Sequence, residues 1–399
     1  MAPTGVLRRA GVGSLATIVI LSGCTASPHP VPTPPAAEPP VSAAVLVDPI
    51  QAYADARLEA MTLDQKIASM LLVHLAGLDA AALGQYAAAN GVGGLILMGD
   101  NIPDPSSQLA TMTPLMSTEY GLPILIATDQ EGGIVARVPT DDAPAADQLR
   151  NLPPDAARDA FHGRGALLKS LGITLNFGVV ADVTGDPDSF IFERTMGSTP
   201  ADAAPRVAAA VTGESGEVLS TLKHFPGHGV SPVDSHSSIP ETAISMQDWR
   251  TNHAPPFTAG IEAGAEAVMF GHLQFDAVDP QPASLSALWH QVLRNELGFT
   301  GITITDDMNM LEYSGRADLA DQRQNAVRAV AAGNTMLLYV GAVDIPGVVA
   351  AVHAAVDDGT IPLTTIDDAA HRLLVLRRAL SGQMGAYVRC NDKCQAGMQ

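Results

Sequence analysis

Leu219-Ser220-Thr221-Leu222-Lys223-His224-Phe225 begins apolar and β-rich, ends on a lysine and a histidine, and is followed at once by Pro226-Gly227. So short an apolar run bounded by turn residues reads as a buried strand. The same shape recurs in both directions along the chain, at Met70–His74, Gly94–Met98, Ile124–Thr128, Thr174–Val179, Ala267–Gly271, Gly301–Thr305 and Thr335–Val340. Segments of helical texture lie between these runs, among them Ala81–Asn90, Pro154–Leu171, Ala201–Glu217, Ser286–Leu297 and Leu319–Ala332. Strands alternating with helices predict a parallel sheet. Eight such units in one domain predict an α/β fold closed as a single-domain (β/α)8 barrel rather than an open doubly wound sheet.

The polar residues fall where such a barrel would use them. Asp129-Gln130-Glu131 follows the third run, Asp182 the fourth, and Lys223-His224 closes the fifth; His272 closes the sixth and Asp306-Asp307 the seventh. C-terminal strand ends of a barrel converge on one face, where active sites are built. Residues far apart in sequence are therefore expected to become neighbours.

Composition narrows the function classes. Hydrophobic residues make up 47% and charged residues 16%, which permits a large core and argues against global disorder. The formal net charge of −20 repels a phosphate backbone, so nucleic acid is not an expected partner. Aromatics at 4% leave few rings to serve as sugar platforms.

The N-terminus carries its own signal. Arg8 and Arg9 precede the short apolar run Val12–Leu21, which ends in Leu21-Ser22-Gly23-Cys24. The run is too short for a membrane-spanning helix, which needs about 20 apolar residues. Its end resembles a bacterial lipobox, which implies a signal segment over 1–23, lipidation at Cys24, and attachment to the cell membrane on its extracytoplasmic side. Residues 24–47 are Pro-rich and read as an extended tether. One domain is expected over 48–382, followed by a polar tail over 383–399 that holds Cys390 and Cys394. In an oxidising compartment that pair suits a small local disulfide. Without a third cysteine or a nearby histidine it is a poor zinc site.

His224 and His228 have the i, i+4 spacing of a helical metal motif, but Pro226 and Gly227 between them argue against a helix, and no glutamate follows His224. No metal and no cofactor are expected. The segment Lys223-His224-Phe225-Pro226-Gly227-His228-Gly229 with Asp234-Ser235-His236 instead resembles glycoside hydrolase family 3, in its single-domain β-N-acetylglucosaminidase branch. Met61–Ile67 resembles the opening helix of that family, and Gly93–Leu97 its second-strand glycine run. Asp129-Gln130-Glu131-Gly132-Gly133 and Thr305–Met310 resemble two further motifs, in the family's order. The chain departs from the family at Val230-Ser231, where an Asp or Asn and then a Thr are usual, and at Thr195-Met196 after Arg194.

The resemblance implies roles. Asp306 takes the place of the nucleophile, His236 that of the general acid/base and Asp234 that of the carboxylate orienting it. Lys223, His224, Asp129 and Arg194 take the places of sugar-binding residues. The chemistry is coherent: a retaining glycosidase needs one carboxylate to attack the anomeric carbon and a second group to protonate the leaving oxygen. A carboxylate beside an imidazole fixes its tautomer and raises its pKa, which makes a proton available near neutrality. Asp307, the neighbour of Asp306, should point the other way and serve the structure. The expected partner is a small carbohydrate bearing terminal N-acetylglucosamine, such as a peptidoglycan fragment, and the expected state is a monomer. Two readings compete: a phosphorylase, since an imidazole repels phosphate less than a carboxylate would, and a sugar-binding lipoprotein with a dead site.

Overall fold

The computed structural model describes residues 48–388, so Cys24, the segments on either side of it, and Cys390 and Cys394 lie outside the described residues. Eight parallel strands close into a barrel: β1 Leu71–Val73, β2 Gly94–Ile96, β3 Leu125–Thr128, β4 Leu175–Val180, β5 Leu219–Phe225, β6 Ala267–Phe270, β7 Ile302–Asp307 and β8 Met336–Tyr339. They follow chain order around the ring, and β8 returns to β1 with Leu71 opposite Leu337. β3, β4 and β5 are buried along their whole length, as expected of strands covered on one side by barrel interior and on the other by helices. The eight runs expected from sequence are these eight strands.

The helices match in place and differ at their ends. Pro154–Ser170 and Ala80–Asn90 lie within a residue or so of expectation. The third ends early, at Glu214, because the chain turns at Ser215-Gly216 to enter β5. The segment expected as one helix over 286–297 is a short α-helix, Ala287–Gln291, passing into a π-helical turn, Val292–Glu296. The last starts at Gln322, where the Asp321 carboxylate accepts the N–H groups of Arg323 and Gln324 and so caps the helix. A helix before the barrel (Pro49–Ala60) packs against the final helix (Leu363–Leu380). No helix among the described residues is long and apolar enough to cross a membrane.

Two features of the frame set up the site. The β4–β5, β5–β6 and β7–β8 pairings each shift register part-way along the strands. Such irregularities re-aim side chains and are common beside active sites. Below the end of β5, Phe225 packs edge-on against Phe257, Phe270, Trp249 and Trp289, with centroids 5.0 to 5.9 Å away. The Trp249 indole N–H donates to the Pro226 carbonyl at 2.7 Å, tying the loop after β5 to this aromatic base.

Candidate active site

A cavity of about 220 Å³ opens at the C-terminal strand ends. Asp129, Arg194, Lys223, His224, His236 and Asp306 all line it, so the barrel gathers six of the residues singled out from sequence, and Asp234 is bonded to one of them. A larger cavity of about 700 Å³ lies at the opposite end of the barrel, beside Glu266 and Ile302 at the starts of β6 and β7. The carboxylates and histidines at the strand ends face the smaller one.

Asp306 stands at the end of β7, half-buried, and lines the cavity. Its Oδ1 accepts the Asp307 N–H at 2.8 Å. Burial by itself would raise its pKa, but the imidazoles of His224 and His272, the Asp307 N–H and the Lys223 ammonium outweigh burial and hold it at about 2. Asp307 borders the same cavity, but its Oδ1 is taken up by the N–H groups of Val340 (2.9 Å) and Asn309 (3.2 Å). That carboxylate ties β7 to β8, and burial pushes its pKa up to about 6. Neighbours in sequence thus occupy opposite electrostatic environments.

Three cations and two carboxylates form the other wall. Arg194 forks onto Glu131, Nε to Oε2 at 2.9 Å and Nη2 to Oε1 at 2.7 Å. Lys223 Nζ sits 2.6 Å from Glu131 Oε1 and 3.0 Å from Asp129 Oδ1, and Arg137 reaches Asp129 Oδ2 at 3.3 Å. Burial disfavours ionised Glu131, yet Lys223 and Arg194 reverse this and bring it to about 2. The same pairing raises Lys223 despite its burial. His224 Nδ1 lies 2.7 Å from Asp182 Oδ2, and its Nε2 lies 3.3 Å from Arg194 Nη2. A guanidinium has only hydrogens to offer, so Nε2 accepts and Nδ1 carries the proton. His272 has the other tautomer: its Nε2 faces the Asp307 carbonyl at 2.9 Å and must donate, so Nδ1 accepts from Ser284 Oγ at 2.7 Å.

The loop after β5 brings in the remaining pair. His236 Nδ1 stands 2.6 Å from Asp234 Oδ1, which also accepts the His236 backbone N–H at 3.0 Å. The pair sits at the cavity mouth, with the His236 side chain 67% exposed and that of Asp234 47%. Asp234 lies below the usual carboxylate range, because these hydrogen bonds outweigh its partial burial. The loop follows β4 closely at its stem, where a Cβ on Gly229 would meet the Val183 carbonyl at 2.0 Å.

Beneath Asp129 and Glu131 lies a buried brace. Gln130 Oε1 accepts the Arg137 and Val138 N–H groups, its Nε2 donates to Asp141 Oδ2 at 2.8 Å, and Arg164 Nε donates to the same oxygen at 2.7 Å. Asn176 bonds both backbone groups of Gln130 at 3.0 Å and donates to Glu214 Oε1 at 2.6 Å. Gly132 has φ +89°, and a Cβ there would meet Arg164 Nη2 at 2.4 Å, so glycine is required. Sequence reasoning assigned no role to Glu131, Arg137, His228 or the brace. Glu131 and Arg137 stood within or beside a motif already noticed; the brace is joined only in three dimensions. Among the described residues no cluster of three or more His, Cys, Asp or Glu side chains has the geometry to hold a metal ion.

The chain is 31% identical over 326 residues to a beta-hexosaminidase of Idiomarina loihiensis, an alignment spanning 78% of this chain and 94% of that one. It is 28% identical over 368 residues to the beta-hexosaminidase LpqI of Mycobacterium tuberculosis, spanning 88% of each. Among solved structures it resembles a glycoside hydrolase family 3 beta-N-acetylglucosaminidase from a Paenibacillus species (TM-score 0.74, 32% identity), covering 83% of this chain and 65% of that one. It also resembles a beta-N-acetylhexosaminidase from Beutenbergia cavernae (TM-score 0.70, 28% identity), covering 81% and 99% respectively. Residues 62–376 match the glycosyl hydrolase family 3 N-terminal domain, and with a closed eight-stranded barrel beneath that match the chain belongs to glycosyl hydrolase family 3.

Proposed function

We propose that this chain is a retaining exo-β-N-acetylglucosaminidase that works through a covalent glycosyl–Asp306 intermediate. The observation that carries the reading is the shared cavity: a half-buried carboxylate held ionised at a strand end and, facing it, an Asp–His pair on the loop after β5. In the first step an Asp306 oxygen attacks the anomeric carbon while the imidazolium of His236 gives its Nε2 proton to the departing oxygen. Asp234 holds the Nδ1–H and so directs Nε2 at the reaction. In the second step neutral His236 takes a proton from water, whose oxygen displaces Asp306 with a second inversion. Asp129, Arg137, Arg194, Lys223 and His224 supply donors and acceptors for the sugar hydroxyls at the far wall.

The proposed substrate is a β-linked N-acetylglucosaminide terminus on peptidoglycan fragments, met outside the cytoplasm by a monomer anchored through lipidated Cys24. The lipobox-like run ending at Cys24 and the beta-hexosaminidase relatives support this.

A 5-fluoro-N-acetylglucosaminyl fluoride tests the mechanism. Mass spectrometry should find one added sugar on the peptide containing Asp306, and turnover of an aryl β-N-acetylglucosaminide should release the β-anomer first. Release of the α-anomer, or a label elsewhere, would overturn the reading. Sugar 1-phosphate formed in phosphate buffer would move it to phosphorolysis.

A further inference from the structure

His228 has no assigned part in this chemistry, yet it lines the same cavity and is only 1% exposed. Its backbone N–H is tied to Asp182 Oδ1 at 2.5 Å, which fixes the residue at the stem of the loop bearing Asp234 and His236. Its ring is wedged edge-on between Phe190 (4.5 Å between centroids) and His224 (5.8 Å). Neither ring nitrogen has a hydrogen-bond partner. A buried polar group left unpaired is costly, so an imidazole retained here, facing a cavity, points to a partner met during turnover. The group best placed to supply one is on the same loop. Ser235 and His236 line the cavity together with His228, and both hydrogen bonds to the adjoining Asp234 carboxylate go to Oδ1, which leaves Oδ2 free among the described residues.

We propose that His228 is the post onto which the Asp234–His236 loop closes: with sugar in the cavity, the His228 ring N–H donates to Asp234 Oδ2, and the chain His228–Asp234–His236 aims the acid/base at the glycosidic oxygen. The inference rests on the proposed role of His236. His228 is a positioning residue; it moves no proton itself. Loop closure of this kind excludes water and completes a site only when substrate is bound. It accounts for an exposed Asp–His pair lying beside a buried histidine with no partner.

The test exploits leaving groups. An acid that donates to the departing oxygen matters greatly for a basic leaving group and little for a dinitrophenolate. A residue that aims the acid should show the same dependence, whereas one that only packs or binds sugar should not. We would measure kcat/KM, which reports the first step, on N,N′-diacetylchitobiose and on the dinitrophenyl β-N-acetylglucosaminide, for His228→Phe, His228→Asn and His236→Ala. His228→Phe should lose about tenfold to a hundredfold on the disaccharide, the usual cost of removing a partner that orients a reacting group, and little on the dinitrophenyl substrate. Its melting temperature should hold or rise, because the unpaired nitrogens are gone while the ring remains. His228→Asn keeps a donor and should recover part of the loss. An equal loss on both substrates, or none, would overturn the proposal. Should the phenylalanine variant not fold, His228→Leu against His228→Asn carries the same comparison. If His236→Ala itself shows no leaving-group dependence, the assignment of His236 as acid fails first; if only the His228 variants lack it, the latch alone is wrong.

Discussion

The Lys223 ammonium is held 2.6 Å from Glu131 Oε1, and Arg194 grips the same carboxylate with two nitrogens. One buried anion therefore positions two cations that face the cavity. Removing one partner of a buried ionic cluster leaves uncompensated charge, at about 3–5 kcal/mol. Glu131→Ala is expected to destabilise by that order in urea unfolding, and Glu131→Gln by less, with activity lowered in both. The pH dependence has a definite sign. Glu131 falls from its ordinary 4.5 to about 2 on folding, so its contribution is complete above pH 4.5 and is lost as pH drops through about 2. Glu131→Gln should flatten that acid limb of stability.

Asp306 and Asp307 should separate cleanly. Asp306→Asn removes the proposed nucleophile and should cut kcat on an aryl β-N-acetylglucosaminide by roughly ten-thousandfold or more. Asp307→Asn keeps an oxygen to accept the Val340 and Asn309 N–H groups, so kcat should change by no more than about tenfold, with any cost appearing in stability. Equal losses from the two would mean that β7 presents the wrong carboxylate in this account.

Glu214 offers a prediction of opposite sign to Glu131. Burial raises its pKa from 4.5 to about 8, because Asn176 and the more distant Arg164 compensate too little. The folded state therefore holds a proton that the unfolded state releases, and stability falls as pH rises from 4.5 to about 8. Glu214→Gln keeps the shape and the oxygen facing Asn176. The melting temperature of the variant should exceed that of the parent at pH 8, with the gap closing toward pH 4.5.

The brace below the site should act through loop placement. Arg164 and Asp141 are both buried and paired at 2.7 Å. Arg164→Met leaves Asp141 buried with only Gln130 on that oxygen and is expected to cost about 3–5 kcal/mol of stability. Because Gln130 sits between Asp129 and Glu131, KM for the sugar should rise more than kcat falls. Steady-state kinetics at a temperature well below unfolding checks this.

Much of this protein is legible in its amino-acid sequence because the relevant signals are local. Short apolar β-rich runs separated by helical segments mark all eight strands, and the convergence of C-terminal strand ends in a barrel places Asp129, Lys223, His224 and Asp306 on one face. Helix ends were less legible: an α-to-π transition such as that at Val292 depends on packing around the turn, not on its residues alone. Tertiary structure alone decided the pairings. Nothing in the spacing of residues 131, 194 and 223 says that one carboxylate serves two cations, or that Arg164 supports Gln130 through Asp141. Tertiary structure alone also set the charge states. Asp306 and Asp307 are identical residues in adjacent positions, yet one is held near 2 and the other near 6. The difference arises from which groups enclose each carboxylate in a low-dielectric interior, and sequence order does not encode that enclosure.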